Sequence, residues 1–440
     1  MELSNCILVF FFLTTFQLPS LTSPSPTNEL SLRLDLTHVD AGLNLTVHEF
    51  LRRAAARSKT RLARHAHARN SKAQAPVFWG PENRYEGEYL INFSIGTPPR
   101  YLPFIVDTGS SLVWTQCKPC RNCLKQPVPL FDPKKSSTFT KLSCSSKHCS
   151  VLGSDYASQC STNPECHFDY GYADGSETIG YIGLEIATFR YSSEKPLSVP
   201  RFAIGCARAN QGSMASSSGT AGFGRSAESL VSQLRITRFS YCFIPYIPKN
   251  TKRSPLFLGA VTGSPVHSTP LLKDDIFYYV SLEGITVGSA RLPFGPDTFA
   301  RKKDGSGGTI FDSGTFNTNL ITEVFEAVKK AFLSAIKLPV SEDTLSADYE
   351  LCFDTPRRGF SPESLEIPKL VFHFKGADMD LPRENYVVYD AKERMLCVMI
   401  EETEPSSTNI IGNFYQQNMN VVYDLKKEKL SFGPAQCDRL

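Results

Sequence analysis

The chain has 440 residues, 41% of them hydrophobic and 21% charged, a composition that builds an ordinary folded core and excludes disorder and collagen. Its 47 Lys and Arg against 44 Asp and Glu leave a net charge of +3, too slight for a nucleic-acid binder that must neutralise many phosphates. Nine basic and five acidic side chains fall within residues 1–80, so the rest of the chain is close to electrically neutral.

Residues 6–16, Cys-Ile-Leu-Val-Phe-Phe-Phe-Leu-Thr-Thr-Phe, are too short to span a bilayer but match a signal-peptide core, with Ser20, Thr22 and Ser23 after them. Glu2 and the lack of an early Lys or Arg depart from the usual form; an uncleaved anchor or a buried N-terminal segment is the alternative. Cleavage of a signal over 1–23 removes Cys6 and leaves an even number of the 13 cysteines, which suits secretion. No later run approaches 18 apolar residues, so no membrane contact is expected after signal removal.

Leu30-Ser-Leu-Arg-Leu-Asp-Leu alternates and predicts a strand. Residues 47–69 predict a helix in which Phe50, Leu51, Ala54, Ala55 and Leu62 share the segment with seven Lys and Arg and no acid after Glu49. A solvated basic helix is one reading. The other is a removable prosegment over 24–80 whose cations sit on an acidic site. From Tyr85 onward the composition shifts to alternating strands, 277–287 among them, separated by Gly, Pro, Ser and Asp. One amphipathic helix stands out, with Ile321, Val324, Phe325, Val328, Phe332 and Ile336 on one face.

Two segments repeat a pattern: Phe104-Ile-Val-Asp107-Thr-Gly-Ser and Thr309-Ile-Phe-Asp312-Ser-Gly-Thr. Each is an apolar strand ending in Asp, followed by a hydroxyl residue, Gly and a second hydroxyl. Each has a later partner leading into Gly: Thr220-Ala221-Gly222, 115 residues beyond Asp107, and Ile410-Ile411-Gly412, 100 beyond Asp312. The chain therefore divides into two homologous lobes, 81–255 and 256–440. If the lobes face each other the two carboxylates meet, at about 3 Å in known dyads. Two full charges at that distance repel by about 5–6 kcal/mol at an effective dielectric near 20, so one proton must be shared. The ionised partner then draws a proton from water while the protonated one donates to a carbonyl oxygen, which is metal-free amide hydrolysis.

With these motifs on one chain, the sequence resembles the pepsin-type aspartic endopeptidases. Glu88-Tyr-Leu-Ile-Asn-Phe-Ser-Ile-Gly-Thr-Pro-Pro, Trp114-Thr-Gln-Cys117 and a cysteine-rich insert make it similar to the plant nepenthesin-like branch, from Glu88 to Cys437. The resemblance implies an all-β, bilobal pepsin-like fold with the active site between the lobes. It implies Asp107 and Asp312 as the catalytic pair, Gly109 and Gly314 in their turns, Ser110 and Thr315 bonded to them, and Thr108 and Ser313 bracing the two loops. Tyr172 matches the tyrosine of a mobile flap and Trp114 the tryptophan that steadies it; ordinary packed aromatics are the alternative. Ala173 stands where the family usually has Gly and Ser313 where Thr is common, which bears on flap mobility and loop stiffness. The rival function is a pepsin-like protein that only binds, with a degraded dyad, and both aspartates with their partners favour the enzyme.

Seven cysteines, 117, 120, 123, 144, 149, 160 and 166, crowd into the insert. Zinc is one reading of the spacing and disulfides the other, favoured by the secretory signal. Spacing chooses no pairing. The resemblance implies Cys117 with Cys120, Cys123 with Cys206, Cys144 with Cys166, Cys149 with Cys160, Cys242 with Cys437 and Cys352 with Cys397. Asn92-Phe-Ser is a glycosylation sequon in a predicted strand, and Asn44-Leu-Thr another in the prosegment. His148 beside Cys149 reads as a solvated loop residue. The expectation is thus a secreted proenzyme, extracellular (apoplast) or vacuolar and monomeric. It cleaves proteins or peptides in a long cleft at acid pH, without metal, cofactor or nucleic acid.

Overall fold

Alternating apolar strands broken by Gly, Pro and Asp produce a fold in which, among the described residues, β-strands far outnumber helices. The computed structural model describes residues 31–54, 89–151, 164–171, 177–190, 196–211, 217–245, 252–259, 267–342, 349–357 and 359–440. The signal stretch, most of the basic segment, Cys160 and Tyr172 lie outside the described residues.

A 14-stranded sheet runs through the first half and borrows three strands from the second, His267–Pro270, Met419–Asp424 and Lys429–Pro434. At its centre, Arg100–Asp107 lies parallel to Gly219–Gly222, which is antiparallel to Val113–Gln116, itself parallel to Leu197–Gln211. The second half repeats this arrangement in a 5-stranded sheet. Thr309–Phe311 lies parallel to Asn409–Ile411, which is antiparallel to Thr318–Ile321, itself parallel to Ile400–Thr403. The duplication in the sequence is therefore a duplication of topology. Strands buried on both faces read as continuous apolar runs: Tyr89–Ile95 exposes only Asn92.

The amphipathic helix spans Thr322–Ala335 and buries Val324, Phe325, Val328 and Phe332. The expected strand over 277–287 is interrupted at Ser281 and forms Tyr279–Val280 and Leu282–Val287. Leu32–His38 is a strand, as its alternation predicts, with Leu32, Leu34 and Leu36 buried. It is an interior strand, paired with Ser254–Leu258 on one side and Tyr89–Ile95 on the other. Helical backbone follows over 47–54. Thr46 and Glu49 cap it reciprocally: Glu49 N donates to Thr46 Oγ1 at 3.1 Å and Thr46 N to Glu49 Oε2 at 2.7 Å. Phe50 packs edge-on against Phe316, and the Tyr349 hydroxyl donates to Leu51 O. Arg53 pairs with buried Asp40 at 2.8 Å, so this cation of the basic segment is engaged within the segment.

The disulfides correct four of the six implied pairings. Cys117 follows the strand Val113–Gln116, whose Thr115 lies opposite Cys206, and Cys117 N donates to Ala207 O at 2.9 Å. That register brings the Cα atoms of Cys117 and Cys206 to 5.3 Å, and these two are bonded, in place of Cys117 with Cys120 and Cys123 with Cys206. Cys120 and Cys123 close their own short turn. Cys149 bonds Cys166, which overturns Cys144 with Cys166 and Cys149 with Cys160; Cys144 is itself disulfide-bonded, to a residue outside the described ones. Cys242 with Cys437 and Cys352 with Cys397 stand as implied. The described cysteines of the insert are thereby committed to sulfur, which removes them as zinc ligands. Non-reducing peptide mapping should recover linked fragments holding Cys117 with Cys206 and Cys149 with Cys166; fragments joining Cys123 to Cys206 would contradict this register.

Candidate active site

Asp107 ends the strand Arg100–Asp107, and Asp312 follows directly on Thr309–Phe311. The parallel neighbour fixes each one. Asp107 lies in register with Gly222, and Phe223 N donates to Asp107 O at 2.7 Å. Asp312 N donates to Ile411 O at 3.1 Å, one step before Gly412. Glycine is required at both crossings because another backbone passes against it. A Cβ on Gly222 would come within 2.2 Å of Ser111 C, and one on Gly412 within 2.2 Å of Asn317 O.

The two carboxyl groups are held alike. Asp107 Oδ1 accepts from Gly109 N at 2.8 Å and Oδ2 from the Ser110 hydroxyl at 2.5 Å. Asp312 Oδ1 accepts from Gly314 N at 2.9 Å and Oδ2 from the Thr315 hydroxyl at 2.6 Å. Both side chains are almost wholly buried, at 1% and 0% exposure. Each carboxyl thus has both oxygens engaged by its own loop, which fixes the plane of the group.

Thr108 and Ser313 join the loops reciprocally. Thr108 N donates to Ser313 Oγ at 3.1 Å, and Ser313 N to Thr108 Oγ1 at 2.9 Å. The hydroxyls then donate across the interface, Thr108 to Phe311 O at 3.2 Å and Ser313 to Val106 O at 3.0 Å. Ser313, where Thr is more common, makes with its hydroxyl both bonds that Thr108 makes; only a methyl is missing. Eight residues singled out in the sequence, Asp107 to Ser110 and Asp312 to Thr315, therefore form one cluster. Trp114 lies on the next strand, buried with Leu112, Phe168 and Ile182, with Tyr170 packed against that group. Tyr172 lies outside the described residues, just beyond the strand His167–Gly171. Among the described residues, no group of three or more His, Cys, Asp or Glu is placed to hold a metal ion.

Several supports had no reading in the sequence. Asn413 sends Nδ2 to Ser313 O at 2.9 Å and its N–H to Thr315 O at 2.7 Å. Buried Glu401 accepts from Asn317 Nδ2 at 2.6 Å and Asn319 Nδ2 at 3.1 Å, fixing the chain just beyond the Asp312 loop. The available signal was the run of polar residues, Asn413, Gln416 and Gln417, placed directly after an apolar strand and its Gly.

The chain resembles known proteins in both sequence and fold. A family model described as xylanase inhibitor N-terminal matches residues 89–260, and one described as xylanase inhibitor C-terminal matches 277–434. The chain is 41% identical to aspartic proteinase nepenthesin-1 of Nepenthes gracilis over 412 residues, 91% of this chain and 89% of that protein. It is 38% identical to nepenthesin-2 of the same plant, over 92% of this chain and 90% of that one. Among solved structures, EDGP matches with a TM-score of 0.63 at 18% identity, covering 80% of this chain and 92% of that one. Basic 7S globulin from soybean matches at 0.61 and 19%, covering 78% and 92%.

The brace has a measurable worth. Thr108→Val keeps the volume but leaves the Ser313 N–H buried without its acceptor, at a cost of about 1–3 kcal/mol. Ser313→Ala should cost a similar amount, and the double variant less than the two together, because both single changes break the same interaction. Thermal and denaturant unfolding of the set check this; strictly additive losses would contradict a shared brace.

Proposed function

The chain belongs to the nepenthesin-like aspartic proteinases, a plant branch of the pepsin-like family, and from that premise we propose a secreted endopeptidase that cuts peptide bonds at acid pH. The single observation that carries this reading is the pair of buried aspartates on loops bonded to each other, each carboxyl held by one Gly N–H and one hydroxyl. A pair fixed in this way and unable to ionise twice at low cost shares a proton. The ionised member takes a proton from a water molecule as that water attacks the scissile carbonyl carbon. The protonated member donates to the carbonyl oxygen, giving a neutral tetrahedral diol. Collapse reforms the carbonyl, breaks the C–N bond and passes a proton to the leaving nitrogen, so acid and base exchange roles in each turnover. Protein or peptide chains are the substrate class; Tyr172 would cover them and Trp114 would support that cover.

The rival, a protein that only binds, is favoured by the name of the family models alone. A retained dyad with all its hydrogen-bonding partners argues against it, since a binding surface needs neither buried carboxylate. Residues 24–80 are proposed as the prosegment. Their described part supports this reading through the strand Leu32–His38, which takes an interior place in the sheet between Ser254–Leu258 and Tyr89–Ile95 and so holds the segment against the body of the protein. Asn92, the exposed position of its strand, is the proposed glycosylation site in the mature part.

Asp107→Asn and Asp312→Asn should each abolish turnover with the fold intact, because either leaves only one ionisable carboxyl. The wild-type rate should peak at acid pH and fall as the second proton is lost. More than a few per cent of activity in either folded variant, or a maximum above neutral pH, would sink the assignment. Purified precursor brought to acid pH should acquire a new N-terminus between about residues 70 and 88, read by mass spectrometry, while the Asp107→Asn precursor does not. Equal processing of both would show that another protease does the work.

A further inference from the structure

Each catalytic strand leans on a tyrosine that the other half of the chain supplies. On the Asp312 side, Gln416 sends Nε2 to Ile411 O at 2.8 Å, the same carbonyl that accepts from Asp312 N. A carbonyl can only accept, so the amide is oriented with its nitrogen toward Ile411 and its oxygen toward Tyr241, whose hydroxyl donates to it at 2.5 Å. That hydroxyl has spent its one proton. It therefore accepts from the Tyr423 hydroxyl at 3.0 Å. Tyr241 sits on the strand Arg238–Cys242, within the stretch matched by the N-terminal family model.

The Asp107 side mirrors this. The Tyr278 hydroxyl donates to Phe223 O at 2.7 Å and more weakly to Gly224 O at 3.4 Å. Phe223 N donates in turn to Asp107 O, and Gly224 N to Ser110 O at 2.8 Å. Tyr278 falls within the stretch matched by the C-terminal family model. Between the two struts lies the Tyr423 ring, 4.7 Å from that of Tyr278 and 5.9 Å from that of Tyr241, and all three side chains are fully buried. Phenylalanine would fill the same space without the cost of burying a hydroxyl, so the hydroxyls are there for what they bond. Burial first, and the neighbouring Tyr423 phenol second, push Tyr241 and Tyr278 well above the ordinary tyrosine range. The charge of Asp312 adds a smaller push on Tyr241, while Arg225 pulls Tyr278 down and Glu428 raises it. Both phenols thus remain O–H donors at any working pH.

We propose that Tyr241, acting through Gln416, and Tyr278 are positioning residues for the catalytic pair, each holding the aspartate strand of the opposite half at the height that lets the two carboxyls share a proton. The proposal rests on the peptidase reading of Asp107 and Asp312. Neither tyrosine touches substrate, so the expected signature is in turnover and proton sharing rather than in binding. In the full acid-activated protein, Tyr241→Phe and Tyr278→Phe should each lower kcat roughly ten- to a hundredfold on a long peptide. KM should stay within about twofold, and the limbs of the kcat–pH profile should shift. Gln416→Met should reproduce Tyr241→Phe and add nothing to it in the double variant; it also tests the same route should Tyr241→Phe fail to fold. Unchanged kcat and pH limbs in folded variants, with only a lowered Tm, would reduce the tyrosines to packing and overturn the proposal. Asp107→Asn run beside them separates the two levels. If it is inactive while the tyrosine variants match wild type, only the positioning role fails; if wild type itself has no activity that Asp107→Asn removes, the peptidase reading fails and the proposal with it.

Discussion

The exchange of hydrogen bonds between Thr108 and Ser313 is the constraint on which the rest of the molecule depends. Two carboxylates avoid each other unless something holds them together, and neither lobe can do so alone, because each owns only one. Four bonds cross this interface, two from backbone N–H groups and two from hydroxyls to the carbonyls before the opposite aspartate. Each is worth about 0.5–1.5 kcal/mol in net terms. Their larger effect is geometric, since every donor broken here is left buried. Duplication makes this economical: one loop design, used twice about an approximate two-fold axis, braces itself.

Behind the brace the sheets are built to deliver the loops. Parallel pairing of Arg100–Asp107 with Gly219–Gly222, and of Thr309–Phe311 with Asn409–Ile411, sets each aspartate beside the end of a buried strand. Glycine at 222 and 412 lets a second backbone cross there. Stacked rings fill the layer beneath, Tyr241 on Phe243 at 4.3 Å and Phe239 on Tyr423 at 4.4 Å. A site whose two carboxyls are held by hydrogen bonds from their own loops is preorganised, so little reorganisation remains when charge develops on a reacting group.

What the sequence made legible was local. Asp107 and Ser110, or Asp312 and Thr315, are three residues apart, so a tight turn alone brings them into contact, and the pattern of residue types is enough to see it. The helix Thr322–Ala335 and the strand Leu32–His38 declared themselves by periodicity for the same reason. What depends on register between distant strands was not legible. Cys117 meets Cys206 across 89 residues because Thr115 lies opposite Cys206, a fact that no spacing encodes and that the family resemblance assigned otherwise. Tyr241 and Tyr278 look in the sequence like any aromatic on a strand; only their hydroxyl partners distinguish them. The alternation of Leu32–His38 announced a strand but could not say that it would sit inside the sheet rather than at its edge.

Digestion of denatured haemoglobin by the acid-treated protein, with and without pepstatin, bears most directly on the central claim that the braced aspartates form a working proton-sharing pair. Pepstatin occupies such a pair without reacting with it. Cleavage at acid pH that falls to background near one equivalent of pepstatin is the expected result. Cleavage that persists under saturating pepstatin, or its absence across the acid range in a correctly disulfide-bonded and processed protein, would contradict it.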